Sequence, residues 1–395
     1  MPGKRTVYLD HAATTPLDPR VLEVMLPVLT SHFGNASSVH ALGRKARQLV
    51  EESREEIAAL VGAEPSEIVF TSGGTEADHA ALLGLHHPEK PGLLTSLAEH
   101  EAVLRAAESL SESGQPVTWM KPDAAGAVTP AALAEALGDE TGLVSLMHAN
   151  NEVGTLTAVA EAAGFCRSKG VLFHTDAVQT AGWRVLDVEA LGVDALSLSA
   201  HKFYGPKGIG VLYLRAGVPF SPHIRGGGQE RGRRAGTEQV AGIVGMACAL
   251  RLATEEGVDR SMAVLGLRNA LAEGILAAFG DDVVVNTPLD GRSLPHLLNI
   301  AFLPKDGESI DGEMLLLNLD LEGICASSGS ACTSGAIKPS HVLLALGLPP
   351  EVASTALRFS LGKQTTHEEI NYTVEILTKV VERMRMFQRM LPATQ

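Results

Sequence analysis

The chain has 395 residues, 45% of them hydrophobic and 20% charged, and a formal net charge of −14. That length allows one large domain and a smaller one, and the acidic balance argues against the basic face that nucleic acids and anionic membranes require. Four cysteines without a C-x-x-C pair form no disulfide framework.

The start, MPGKRTVYLDHAATTP, has no apolar signal core and no Arg/Ser-rich transit segment, so a cytoplasmic location is expected. A helix is predicted over 44–62. EIVFTS (67–72) reads as a strand, followed by a double glycine and a helical run from Thr75. GLVSLMH (142–148), VLFHTDA (171–177), DALSLSA (194–200) and GVLYLR (210–215) are further strands, with a helix over 158–170 between the first two. Their apolarity is continuous rather than alternating, which predicts strands buried on both faces in a largely parallel sheet covered by helices, an α/β layered fold.

The longest apolar run, VAGIVGMACAL (240–250), ends at Arg251, well short of the ~20 residues a spanning helix needs, so no membrane span is expected. After about residue 255 the pattern changes. A helix over 262–280 precedes a strand within LPHLLNIAFL (294–303). The C-terminal helix, from Glu368 to about Met390, carries Ile370, Val374, Leu377, Val381 and Met384 at helical spacing. Thr366 and Glu369 form its capping box. The expected division is a large domain over 14–255 and a small α/β domain built from 1–13 and 256–395. The small domain carries the loop 325–337.

Ligands of open α/β sheets sit beyond the C-terminal strand ends, and polar residues collect there. SGGT (72–75) is a turn onto a helix N-terminus; it reads as a phosphate site or as a plain turn with a Thr cap. GPKGIG (205–210) lacks the spacing of a dinucleotide fingerprint. Lys202, half-buried at a strand end, suits Schiff-base chemistry or simply caps the strand. Asp176 also ends an apolar strand, where a carboxylate needs a partner; it pairs with a pyridine nitrogen or caps a helix. Taken together, a phosphate turn, an acid, a strand-end lysine and flanking His, Asn and Gln are the parts needed to hold pyridoxal phosphate.

The motifs YLDHAATTP (8–16), FTSGGTEAD (70–78), HANNEVGT (148–155), HTDAVQT (174–180), SAHKFYGPKGIG (199–210), GGGQERGRRAGT (226–237) and SSGSACTSG (327–335) resemble, in order and over nearly the whole chain, those of cysteine desulfurases. These are class V aminotransferase-like, fold-type-I pyridoxal 5'-phosphate enzymes, and the resemblance is to the branch serving iron–sulfur cluster assembly. It implies that Lys202 bonds the cofactor, His100 stacks on its ring, Asp176 meets the ring nitrogen and Gln179 the phenolic oxygen. Gly74, Thr75, Ser199 and His201 would bind the phosphate, and Asn151 would face ring and substrate. Thr237 would reach the phosphate of a partner subunit, which implies a homodimer. Arg358 would clamp the substrate carboxylate.

By the same resemblance L-cysteine is the substrate, alanine leaves, and Cys332 takes the sulfur as a persulfide for an acceptor protein. Small residues around Cys332 suit a reaching arm, and its thiolate form sets its reactivity; a quiet buried thiol is the other reading. No resident metal is expected, with Cys332 also a candidate transient iron–sulfur ligand. Cys166, Cys248 and Cys325 read as core thiols, and GRR (232–234) as a solvated face or a substrate or partner patch. His296 departs from the family pattern. Three alternatives stand beside the desulfurase reading: a selenocysteine lyase, another class V aminotransferase, and a sulfur-relay scaffold with little turnover.

Overall fold

The continuous apolar runs of the first half do form one sheet. A computed structural model describes residues 5–87, 89–306, 308–329 and 338–390. The strands in chain order are β1 (Val7–Tyr8), β2 (Ile68–Thr71), β3 (Gly92–Ser96), β4 (Val117–Met120), β5 (Thr141–Ser145), β6 (Leu172–Asp176), β7 (Ala195–Ser199) and β8 (Gly210–Leu214). Beyond them lie β9 (Val283–Val285), β10 (Leu297–Phe302), β11 (Ile324–Cys325) and β12 (Leu357–Ser360).

The main sheet has the order β2-β8-β7-β6-β5-β3-β4. β8 is antiparallel to both its neighbours and every other pairing is parallel. Six strands therefore run one way, and their C-terminal ends share one edge. β2, β3, β5, β7 and β8 are buried along their whole length, which is why they carry no polar alternation. Helices Pro19–Thr30, Ala41–Val61 and Val240–Glu255 cover one face, and Gly74–Gly84 and Glu101–Glu112 the other. The sequence reading passed over β3 and β4; GLLTS and VTWM are short, and Thr or Ser interrupts their apolar residues.

A separate apolar cluster gathers Val7 and Leu9 with Leu271, Ile300, Phe359 and Leu377. Here β10 lies between β9 and β12, antiparallel to both, and β1 pairs with β11. The C-terminal helix runs His367–Met390. Its start is the expected capping box: the Glu369 amide donates to Thr366 Oγ1 at 3.2 Å, and the Thr366 amide to Glu369 Oε2 at 2.8 Å.

One expectation needs correction. The stretch Gly257–Asp282 is, by length and composition, long and apolar enough to cross a membrane. It does not read as one apolar run because Asp259, Arg260, Arg268, Asn269 and Glu273 interrupt it. Its buried residues Arg260, Val264, Leu267, Arg268, Leu271, Ala272 and Ile275 recur at helical spacing and pack on the C-terminal helix, β9 and β10, as the stripe of a core helix does.

Candidate active site

The shared strand edge holds a cavity of about 180 Å³. It is lined by Gly74, Thr75, His100, Asn151, Asp176, Gln179, Ser199, His201 and Lys202, all singled out from sequence, together with Asp78, Met147 and Val178. A larger cavity, about 320 Å³, lies against Trp183 and Met262, but its lining is mainly apolar. The smaller one gathers the convergent polar groups that a site of chemistry needs.

β2 delivers the turn that opens helix Gly74–Gly84. No side chain caps this helix at Gly73, so its first amides point outward without an internal acceptor and form an anion cradle. The turn is tightly packed: a Cβ on Gly74 would lie 2.8 Å from Val178 Cγ2, and one on Gly210 would lie 2.7 Å from the Gly73 backbone. β7 places Ser199, 2% exposed, behind this turn. His201 Nδ1 sits 3.1 Å from Thr14 Oγ1. Burial, helped by Lys202 and Lys207, lowers the His201 pKa to about 4, so the ring is neutral near pH 7.

Lys202 lies in the short helical turn after β7. Its Nζ donates to the carbonyls of Ala12 and Ala13, at 2.5 and 2.9 Å. Burial, and next the charge of Arg358, lower its pKa to about 8, while Asp176 and Asp10 act the other way. A lysine so depressed supplies a free amine near neutral pH. Asp176 ends β6, is 6% exposed, and accepts the Val178 amide at 2.9 Å. Burial raises its pKa, but His100, that amide and Lys202 all favour the anion. Gln179 donates from Nε2 to the Ala12 carbonyl at 3.0 Å.

His100 caps helix Glu101–Glu112 by accepting the Ala102 amide at Nδ1, 3.1 Å away, which leaves Nε2 to carry the proton. Burial lowers its pKa. Asn151 follows β5, and its buried Oδ1 has no hydrogen-bond partner among the described residues. A buried acceptor left open at a cavity wall calls for a ligand donor.

Two expected site residues, Thr237 and Arg358, do not line this cavity. Cys332 lies outside the described residues. Thr237 is exposed and away from the lining within the single chain. Arg358, on β12, is 4% exposed; it donates from Nη2 to Asp10 Oδ1 at 3.0 Å and from Nη1 to the Asn151 carbonyl at 2.8 Å. Its guanidinium thus borders the site through Asn151 but already holds a carboxylate.

The sequence reading missed Asp78, which follows Gly74 by one helical turn, and Glu99, which precedes His100. Both are 1% exposed. The clue available was an acid on the buried face of a helix that starts at a phosphate turn. Two other readings are corrected. Cys325 is half-buried rather than core, because Ile324 takes the inward position of the two-residue β11, whereas Cys166 and Cys248 are buried. The GRR segment is not a solvated face throughout: Arg234 pairs with Glu76 at 2.8 Å and Arg233 is half-buried beside the Ile68 carbonyl.

The uncapped helix start, the depressed lysine, the buried carboxylate and the open Asn151 acceptor fit pyridoxal phosphate: an anion cradle, an amine for its aldehyde, an anion for its ring nitrogen. The comparisons agree. The model of the family Aminotransferase class-V matches residues 7–373. Cysteine desulfurase IscS of Dictyoglomus turgidum is 46% identical over 385 residues, covering 97% of this chain and 96% of the relative. The solved structure of a NifS-like protein superimposes with a TM-score of 0.88 at 38% identity, covering 96% of this chain and all of that one. A structure of SspA in complex with cysteine gives 0.77 at 33% identity, covering 92% of this chain and all of that one. The fold is therefore that of the type I pyridoxal phosphate enzymes, the family's cofactor is pyridoxal phosphate, and the chain belongs to the class-V aminotransferase family, among its cysteine desulfurases.

Proposed function

We propose that the chain converts L-cysteine to L-alanine, takes the sulfur onto Cys332 as a persulfide, and passes it to an acceptor protein for iron–sulfur cluster assembly. The observation that carries this reading is one cavity joining Lys202, Asp176 and His100 to an uncapped helix start at Gly74. SspA, a relative with the same fold, has been captured with cysteine.

Pyridoxal phosphate, when bound, supplies an electron sink for the charge that develops at the substrate α-carbon. Lys202 Nζ, largely neutral above about pH 8, would hold the cofactor through its aldehyde and is the base placed to move the substrate α-proton. Asp176 would hold the ring nitrogen protonated, and Gln179 and Asn151 would orient ring and substrate. Gly74, Thr75, Ser199 and His201 bind the phosphate. His100, at the cavity wall, would hold one face of the ring and keep water from it. Arg358, adjoining Asn151, receives the substrate carboxylate by exchanging its pairing with Asp10. The Cys332 thiolate forms an S–S bond as the substrate C–S bond breaks, and the carbon keeps the bonding pair and gains a proton.

In this reading Thr237, exposed on one chain, meets the phosphate of a second copy, so the working form is a homodimer. The chain divides into a large unit over 14–255 and a small one from 1–13 and 256–395. Free thiols at Cys166, Cys248 and Cys325 suit the reducing cytoplasm.

Single-turnover reaction with L-cysteine tests the proposal. Wild type should form one protein-bound persulfide per site together with alanine. Cys332→Ala should keep the visible cofactor spectrum and form neither. Equal turnover by the variant would remove Cys332 as sulfur acceptor.

A further inference from the structure

Asp78 has no part in the reading above, yet it reaches the cavity from helix Gly74–Gly84. Oxygens of Asp78 and Asp176 and a ring nitrogen of His100 all lie within 4.8 Å of one another. Asp78 is 1% exposed, and its Oδ1 has no hydrogen-bond partner among the described residues. Two carboxylates this close in a buried site do not both ionise.

The neighbours decide which one keeps the proton. The charged and titratable groups around Asp78 are Asp176 and His174 on β6, Glu99 and His100 ahead of helix Glu101–Glu112, and Lys202 after β7. Asp176 has the Val178 amide as donor and Lys202 and His100 as nearby bases. Among the described residues no Lys or Arg pairs with Asp78. His174 Nε2 is 3.7 Å away, but that ring is fully buried between two hydroxyls, Ser145 Oγ at 2.9 Å and Ser197 Oγ at 3.0 Å. Burial lowers the His174 pKa to about 3, so it brings no positive charge. Burial raises the Asp78 pKa well above the usual carboxylate range; Asp176 and Glu99 add to this, against the Ser197 hydroxyl.

We propose that Asp78 is a positioning residue that stays protonated in the folded protein, and that this neutral acid leaves Asp176 as the ionised carboxylate facing the cofactor ring. The consequence for the cofactor rests on the pyridoxal phosphate reading; the proton on Asp78 does not.

Two measurements separate these layers. The first compares melting of cofactor-stripped wild type and Asp78→Asn between pH 5.5 and 8.5. A carboxyl protonated when folded and ionised when unfolded makes wild type lose stability as pH rises. The variant's melting temperature should therefore gain on wild type by roughly 2 °C per pH unit. A flat difference means that Asp78 is ionised in the fold and overturns the proposal.

The second titrates stripped protein with pyridoxal phosphate and follows the visible spectrum over the same range. Asp78→Asn, one neutral group for another, should bind within about twofold of wild type and keep its spectrum and pH profile. Asp78→Ala, which removes the polar neighbour, should weaken binding by roughly tenfold, the cost of one lost buried polar contact. A shifted pH profile in Asp78→Asn overturns the assignment, as does wild-type binding by Asp78→Ala. If Asp78→Ala does not fold, the Asn variant decides alone. Wild type that binds no pyridoxal phosphate defeats the reading of the site, and the melting comparison still locates the proton.

Discussion

Two buried groups of charges in this molecule are built in opposite ways. Arg54 and Glu230 meet through two bonds of 2.8 Å, with side chains 5% and 2% exposed. Glu230 also accepts the Phe70 amide, and Arg54 donates to the Ile68 carbonyl, each at 2.9 Å. The acids in and beside the cavity, by contrast, leave Asp78 Oδ1 and Glu99 Oε2 without partners among the described residues. A saturated pair tethers segment 228–233 to β2. An unsaturated cluster costs stability and is kept where a ligand or a reaction needs it.

The strongest way to break this contrast is at Lys202. Lys202→Ala should lower kcat/KM for L-cysteine about a thousandfold and abolish the visible cofactor band while leaving urea unfolding little changed. Arg54→Ala should do the reverse. It strands a buried carboxylate, which costs about 4 kcal/mol in urea unfolding, with the cofactor spectrum retained in whatever protein folds. Asp176→Asn should lower turnover roughly 100-fold, and its apoprotein should be at least as stable as wild type, because a costly buried charge is gone.

A pH series sharpens the contrast further. The Lys202 pKa is depressed on folding to about 8, so between there and about 10.4 the unfolded chain binds the extra proton. Apoprotein stability should rise with pH across that window in wild type relative to Lys202→Met, and cofactor capture by stripped wild type should speed up towards pH 8. The smallest effect belongs to neither region. Thr366→Ala should cost about 1 kcal/mol through its capping box, with unaltered kinetics.

The parts legible in the sequence were those whose signal is local. Strands buried on both faces announce themselves as apolar runs, and the polar residues just beyond them could be listed in advance as one rim. Seven of those residues line one cavity, together with Gly74 and His100, which the resemblance added. What stayed hidden depends on distant contacts. Arg358 reads as a free guanidinium until Asp10, far away in the chain, is seen against it. Asp78 reads as one more helix acid until burial and Asp176 are seen beside it. The bond from the Gln179 amide to the Ala12 carbonyl, far away in the chain, is another such contact.

That carbonyl has a consequence for motion. Ala12 holds both the Lys202 ammonium and the Gln179 amide, so the N-terminal segment is moored by the two groups that loading would recruit elsewhere. Cofactor capture should therefore loosen residues near 12–13 even as it tightens the cavity. Deuterium uptake measured by mass spectrometry should rise in peptides spanning this segment when the holoenzyme forms and fall in peptides over 74–84 and 199–205.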